Sequence, residues 1–390
     1  MFPPDKADAV IIGGGLAGSS MAIGLAKAGW NTVLMDQNNL PKHKVCGEFL
    51  SPESIAMLHV LGLQEAVDAI GPAEIDKAIL TLANGATLTI PMREKAMGIS
   101  RYQLDFIMQQ RAEELGALWL GGTSVSAVKC NENGTYLVQA YTKGGQEPHS
   151  SITAKSVIAA WGRHPRADLA VNDPAVPSSA SRTRAVTYVG IKAHYEEVPA
   201  GGAVELYFFR GGYIGLCPIE EGRTNVTALM TERAFQEAGK SVAAAIESAS
   251  TQNPALRKRL AVGSPIVGSL SATSPVRLDR QLKAWSRFPL IGDAAVMIPP
   301  LCGDGMAMAL RSAQLGLPLA HRYLYGDLTM DGWQIAYTRE LTREFTSPVR
   351  MGKWLQGALS STGMGTILFG LGKVAPFMSN QIFRATRLRG

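Results

Sequence analysis

Cysteine is scarce in this chain, and what there is stands apart. Cys46, Cys130, Cys217 and Cys302 are spread through 390 residues with no C-x-x-C pair. A disulfide-dense scaffold is excluded, and the pattern reads as free thiols in a reducing compartment. Long apolar runs are also missing: no stretch of about twenty apolar residues is free of breaks and charges, which argues against a spanning helix. Lys and Arg outnumber Asp and Glu, 38 to 32, yet they form no stripe interleaved with aromatics, so nucleic acid is not an expected partner. A diffuse positive field suits an anionic cofactor or a membrane surface equally. The opening MFPPDKADAV enters a strand almost at once. That reads as leaving no room for a signal peptide, and the expected location is cytoplasmic. Nucleophilic triads and metal clusters are not evident either; Cys46 with His43 is too thin a pair for a metal, so none is expected.

Glycine is plentiful, with 41 residues, and its placement organises the chain. DAVII (Asp8–Ile12) is a short apolar strand, Leu16–Ala28 a helix of small residues stopped by Gly29, and NTVLMD a second buried strand. Ser51–Ile70 reads as one helix capped by Ser51 with Pro52 in its first turn. Lys77–Pro91 alternates around Asn84-Gly85, a hairpin signal, and a second hairpin turns near Asn133-Gly134. Tyr102–Leu115 is amphipathic. Residues 168–183, DLAVNDPAVPSSASRT, are turn-rich and mark a module switch. Strands then dominate from Arg184 to about Met230, followed by a helical stretch near Phe235–Leu260.

Gly13, Gly15 and Gly18 fit G-x-G-x-x-G with a strand before and a helix after. The first glycine allows the tight turn, the second lets a pyrophosphate approach the backbone, and the third lets helix and strand pack closely. Free N–H groups at the helix start face the phosphates. Asp36 ends the second strand, where an acid accepts hydrogen bonds from a ribose hydroxyl pair. This fingerprint alone leaves NAD and FAD equally open.

LIGDAAVMIPPLCGDGMAMAL (Leu290–Leu310) adds a strand, Phe288–Ile291, a Gly292-Asp293 pair, two prolines and a second glycine cluster opening an apolar helix. Its order resembles the second FAD-contacting motif of the flavoprotein monooxygenase (hydroxylase) and geranylgeranyl reductase superfamily. The resemblance implies that Asp293, after Gly292, binds the ribityl chain. Pro300, Gly303, Gly305 and Met306 then lie beside the flavin ring, where a helix start stabilises charge on the reduced flavin. SRYQLDFIMQQRAEELGA (Ser100–Ala117) resembles the helix whose leading arginine, here Arg101, reaches the cofactor. HKVCGEFLSPE (His43–Glu53) resembles the cysteine-glycine segment of the reductase branch, passing near flavin and substrate. With the fingerprint, the implied cofactor set is Gly13, Gly15, Leu16, Ala17, Gly18, Asp36, Lys44, Cys46, Gly47, Arg101, Val125, Gly292, Asp293, Pro300, Gly303, Gly305 and Met306. Cys46 and Tyr213 are the catalytic candidates near the flavin. Two departures stand out. VIAAWGRHPRADL puts Trp161 where the superfamily commonly has an aspartate, keeping Gly162 and Arg166. The reductase branch's Y-x-W-x-F-P reads here Tyr213, Gly215, Cys217 and Pro218, without the tryptophan and phenylalanine. The tryptophan-bearing signature and catalytic lysine of flavin halogenases are not evident.

The implied fold class is α/β: a discontinuous Rossmann-like FAD-binding domain (1–75, 101–175 and 276–325), a substrate-domain hairpin (76–100), a β-sheet substrate domain (176–275) and a helical C-terminal region (326–390). The implied activity is that of an FAD-dependent oxidoreductase with NADPH or NADH as electron donor. The first expectation is a monooxygenase hydroxylating an aromatic or lipophilic small molecule through a flavin C4a-hydroperoxide, since the reductase's aromatic stretch is degraded. The alternative is an ene reductase of the geranylgeranyl reductase type, in which an acid supplies a proton. An electron-transfer or non-catalytic FAD-binding protein is the third reading. Tyr207, Phe208, Phe209 and Tyr213 are candidates to line the substrate cavity, or to be plain core. The tail from Gly357, apolar with Arg384, Arg387 and Arg389, leaves two readings open: a peripheral membrane contact or a helix over the substrate module.

Overall fold

Strands buried on both faces read as continuous apolar runs, and the opening DAVII does so because it becomes the middle of a parallel sheet. In the computed structural model, which describes residues 4–142, 150–163, 166, 169, 186–199 and 201–360, Ala9, Val10 and Ile11 are fully buried. The six strands of this sheet are ordered Leu118–Leu120, Thr32–Met35, Lys6–Ile12, Ser150–Ala159, Tyr136–Thr142 and Thr123–Cys130. The first four run parallel, and the last two are added antiparallel. Helix Leu16–Lys27 follows the first strand and is buried along almost its whole length. It packs on the late helix Gly305–Tyr325 so closely that a Cβ on Gly24 would sit 2.3 Å from Leu317.

A second, nine-stranded sheet is built from Phe49–Leu50, the hairpin Ala73–Thr81 and Thr87–Gly98, and strands from Tyr188 to Val276. Its two halves meet where Ala203–Phe209 runs parallel to Ala73–Thr81. One face carries three short helices, Glu232–Glu237, Val242–Gln252 and Pro254–Leu260, over a core containing Ile191, Tyr207, Phe209, Ile214 and Val226. The other face turns towards the first sheet.

Several expected elements are subdivided. The Ser51–Ile70 helix is two, Pro52–Val60 and Gln64–Ile70, because Gly62 takes φ +73° between them and ends the first helix in a left-handed turn. The 235–260 stretch breaks at Gly239 and again at Asn253, whose side chain accepts the Leu256 N–H at 3.2 Å and caps a new helix opened by Pro254. Phe288–Ile291 makes only isolated bridges, Ala159 to Leu290 and Trp285 to Pro289, but Ala159 N–H donates to Pro289 and Ile291 N–H to Ala159, both at 2.9 Å. Of the 168–183 switch only Leu169 is described, and the tail beyond Ser360 lies outside the described residues. Among the described residues no helix is long and apolar enough to cross a membrane.

Candidate functional site

The glycines of the first turn differ in what their surroundings demand. A Cβ on Gly13, which has φ +115°, would lie 2.3 Å from the Ala160 carbonyl oxygen, and one on Gly18 would lie 1.9 Å from that of Gly13. Both are required by backbone packing. Gly15 is not: a Cβ there would meet nothing closer than Arg101 Nη2 at 3.7 Å and Lys44 Nζ at 4.0 Å. Gly15 also caps the first helix without any side-chain hydrogen bond, and the first turn holds no acid. The free N–H groups of a helix start, bordered by two cations, make a seat for an anion.

That seat opens into a cavity with about 1600 Å³ of empty space, part of it open to solvent, between the two sheets. Its wall combines Gly15, Leu16 and Ala17 with Cys46, Gly47 and Arg101, and with Gly292, Asp293, Pro300, Gly303, Gly305 and Met306 from the late segment. Gly292 takes φ +60°, and a Cβ on it would approach that of Ala17 to 2.9 Å, so the late turn lies directly on the first helix. Ser312 holds it there, its hydroxyl accepting the Gly292 N–H at 2.7 Å. Gly47 and Gly305 border the cavity with no atom within 4 Å of an added Cβ. Glycines unneeded by protein packing thus surround the space, which fits a large cofactor approaching the backbone at several points.

Charge is arranged around it. Burial alone would weaken the charge on Arg101, but the Asp105 carboxylate accepts from its Nε at 2.6 Å and Nη2 at 2.8 Å and holds the guanidinium above its ordinary value. Lys44 Nζ reaches the same carboxylate at 2.7 Å. Asp293 is pushed up by burial, against the pull of Arg101, Arg163 and Arg280. Burial also pushes the Cys46 thiol up, with Arg101 opposing.

Other sequence-derived candidates stand outside the cavity wall. Asp36 accepts the Gly14 N–H at 2.8 Å and the Asn38 N–H at 2.8 Å. Val125 is buried in the first sheet, its carbonyl accepting Arg166 Nη2 at 2.6 Å. Trp161 stands edge-on to Phe288, with ring centroids 5.9 Å apart. The four aromatics divide by strand alternation. Tyr207 and Phe209 belong to the core under the helices, not to the cavity. Phe208 packs on Tyr213 at 5.9 Å, and Tyr213 lines the cavity.

Two features are not legible in the sequence, although one of them belongs to Tyr213, a residue already among the candidates. The Tyr213 hydroxyl is buried with no hydrogen-bond partner among the described residues. The second is Glu48, with Lys192 and His194. All three are buried and joined, Lys192 Nζ to Glu48 Oε1 and His194 Nε2 to Glu48 Oε2 at 2.7 Å. Burial would raise the Glu48 carboxyl, but the His194 hydrogen bond and the Lys192 ammonium hold it below its usual range.

A family profile described as an FAD binding domain matches residues 6–324. The chain belongs to the FAD-binding-domain family. Among curated proteins it is 26% identical over 331 residues to a menaquinone reductase of Mycolicibacterium smegmatis, covering 80% of this chain and 76% of that one. It is 21% identical over 333 residues to a tryptophan 2-halogenase of Chondromyces crocatus, covering 84% and 63%. Among solved structures, the flavin-dependent brominase Bmp2 superposes with a TM-score of 0.77 at 16% identity, covering 98% of this chain and 93% of that one. This FAD-binding-family member is an FAD-dependent oxidoreductase with the mixed α/β fold of that group.

Proposed function

We propose that this FAD-dependent oxidoreductase saturates a carbon–carbon double bond in a lipophilic substrate that carries one hydrogen-bond-accepting oxygen. The observation that carries the reading is the Tyr213 hydroxyl. Around it the wall is apolar: Ala78, Val204, Leu206, Leu229, Val276 and Met297. A buried hydroxyl without a partner costs about 1–3 kcal/mol, which a substrate oxygen would recover. Burial, with Cys302 and Tyr188 nearby, raises the phenol pKa well above its ordinary value, so Tyr213 keeps a proton to donate, which an acceptor oxygen such as that of a quinone or enone would take. The relatives named menaquinone reductases are consistent with such a substrate.

Bound FAD would supply hydride to the double bond or, with oxygen, an oxygen atom. The protein's residues do the rest. Gly15 and the first helix start, with Arg101 and Lys44, would hold the pyrophosphate. Asp36 keeps lone-pair capacity for the ribose, and Asp293 would take the ribityl chain. The 300–306 turn would lie along the ring. Cys46 remains a protonated thiol on the wall, and the apolar face excludes water. A nicotinamide is the proposed electron donor.

A second reading is hydroxylation of an aromatic substrate, because the same tyrosine would also hold a phenol oxygen. One experiment separates them. Protein reduced under argon and freed of reductant is mixed with menaquinone in detergent, and the product is re-oxidised in air and weighed by mass spectrometry. Two retained hydrogens are expected, and Tyr213→Phe should lower kcat/KM about 10–100-fold, matching 1–3 kcal/mol. A product formed only with oxygen and carrying one added oxygen atom sinks the reduction.

A further inference from the structure

Strand Tyr188–Glu196 sends Val189, Ile191, Ala193 and Tyr195 into the core under the helices. Its alternate residues Gly190, Lys192 and His194 therefore point to the opposite face, away from those helices. There Lys192 and His194 converge on one carboxylate. Glu48 Oε1 accepts from Lys192 Nζ and from the Arg101 backbone N–H at 2.8 Å, and Oε2 lies 2.7 Å from His194 Nε2. Glu48 lines the cavity, with its side chain 0% exposed. Ser269 Oγ accepts the His194 N–H at 2.9 Å and fixes the strand.

A clasp between a distant strand of the second sheet and the segment leading into its edge strand Phe49–Leu50 does not need this chemistry. Three ionisable side chains out of water carry a desolvation cost that apolar side chains of similar volume avoid. The Lys192 ammonium already balances the carboxylate, so a titratable imidazole on the second oxygen is surplus to charge neutrality. It provides two charge states, neutral and singly positive, differing by one proton at the wall of the cofactor cavity.

We propose that Glu48, Lys192 and His194 are the proton store of the cavity: a proton from solvent enters His194 when bound FAD is reduced, and leaves through Glu48 to the substrate. The second half rests on the reductase reading. The two electrons come from a nicotinamide, or from dithionite in the laboratory. They reach the substrate with one proton as hydride at one carbon. The other carbon takes the stored proton. One N–H bond of the His194 imidazolium breaks, Glu48 passes the proton on, one C–H bond forms, and His194 returns to neutral. His43 is the half-buried member of the group, its ring edge-on to that of His194 at 4.9 Å and tilted against Tyr102 at 4.7 Å. The charged and titratable groups around the store are His43 and Cys46 from its own segment, Arg101 from the helix start, Cys217 from strand Gly212–Pro218, two strands away in the sheet, and Glu220 and Arg223 from the turn that follows it.

The test needs no substrate. The midpoint potential of the FAD-loaded protein is followed from pH 5 to 9 with dithionite and reference dyes, for the wild type and for His194→Gln. Glutamine can keep a donor where Nε2 stands but takes no proton, so it rescues a structural role and not the store. The wild type should show a pH range in which its potential falls more steeply than the variant's, by tenfold in the equilibrium per pH unit, about 30 mV for a two-electron couple. Parallel lines overturn the proposal. If that variant loses FAD, His194→Asn is compared with the wild type in the same way, and a steeper wild-type slope supports the store while parallel lines overturn it. The anaerobic product assay can fail while the slopes differ, which would remove the reductase reading and leave proton uptake standing.

Discussion

Gly13 and Gly15 sit two residues apart and face opposite constraints. At Gly13, the positive φ and the Ala160 carbonyl 2.3 Å from a would-be Cβ make Gly13→Ala cost about 3 kcal/mol or more; soluble yield and thermal unfolding would show it. Gly15 has φ −85° and open space. Gly15→Ala should therefore fold with stability within about 0.5 kcal/mol of the wild type yet bind FAD at least tenfold more weakly. A Gly15→Ala protein that stays yellow removes the pyrophosphate seat. His43 offers a pH test at the same scale. Burial first, then Lys192 and His194, lower it from 6.5 to about 4. The folded state thus resists its protonation, so stability is full above about pH 6.5 and is lost as pH falls towards 4. His43→Phe should flatten that decline, read as the shift in urea midpoint between pH 7.5 and 5. An equal shift in both proteins would dismiss His43 as the cause.

At the scale of elements, the late turn depends on a helix that follows it. Gly292 N–H is buried and donates to Ser312 on helix Gly305–Tyr325, while Tyr337 of helix Met330–Ser360 donates to the Leu290 carbonyl at 2.9 Å. Ser312→Ala leaves that N–H without its acceptor and should cost about 1–3 kcal/mol, with weaker FAD binding because Asp293 follows directly. Full FAD content and unchanged denaturant midpoint would contradict this. The elements also show where sequence patterning runs out. YVGIKAHYE alternates cleanly, and a period of two says that Gly190, Lys192 and His194 share a face. It does not say that the face is covered. A polar face on a strand ordinarily meets water; here it meets a carboxylate from 144 residues away. Glu48 is equally hidden, since its left-handed φ of 57° belongs to a residue that looks like any acid in a loop.

Across the whole molecule, one cavity gathers residues from Gly15 to Ala309, so cofactor binding ties together parts remote in sequence. Adding FAD at about a hundred times its dissociation constant should stabilise the protein by about 2.7 kcal/mol, seen as a rise in unfolding temperature of apoprotein on titration. No rise on titration would mean that the folded chain does not bind FAD in preference to the unfolded one, and the cavity would lose its standing as the cofactor seat. The union of the two glycine clusters rests on tertiary contacts: Gly13 is pressed by the Ala160 carbonyl and Gly292 by Ala17, although the strand-turn-helix around Gly13 lies within the first 36 residues.

Local conformation was determined by the sequence alone. The apolar run marks the core strand, and the tight first turn and the hairpin at Asn84-Gly85 follow from the φ preference of their glycines. Tertiary structure decided which aromatic turns inward and that the polar face of strand Tyr188–Glu196 is buried as fully as its apolar one. It also decided that a tyrosine hydroxyl has no partner. Those outcomes depend on what packs opposite, and the opposing residue is chosen by the meeting of two sheets rather than by anything within hydrogen-bond range along the chain.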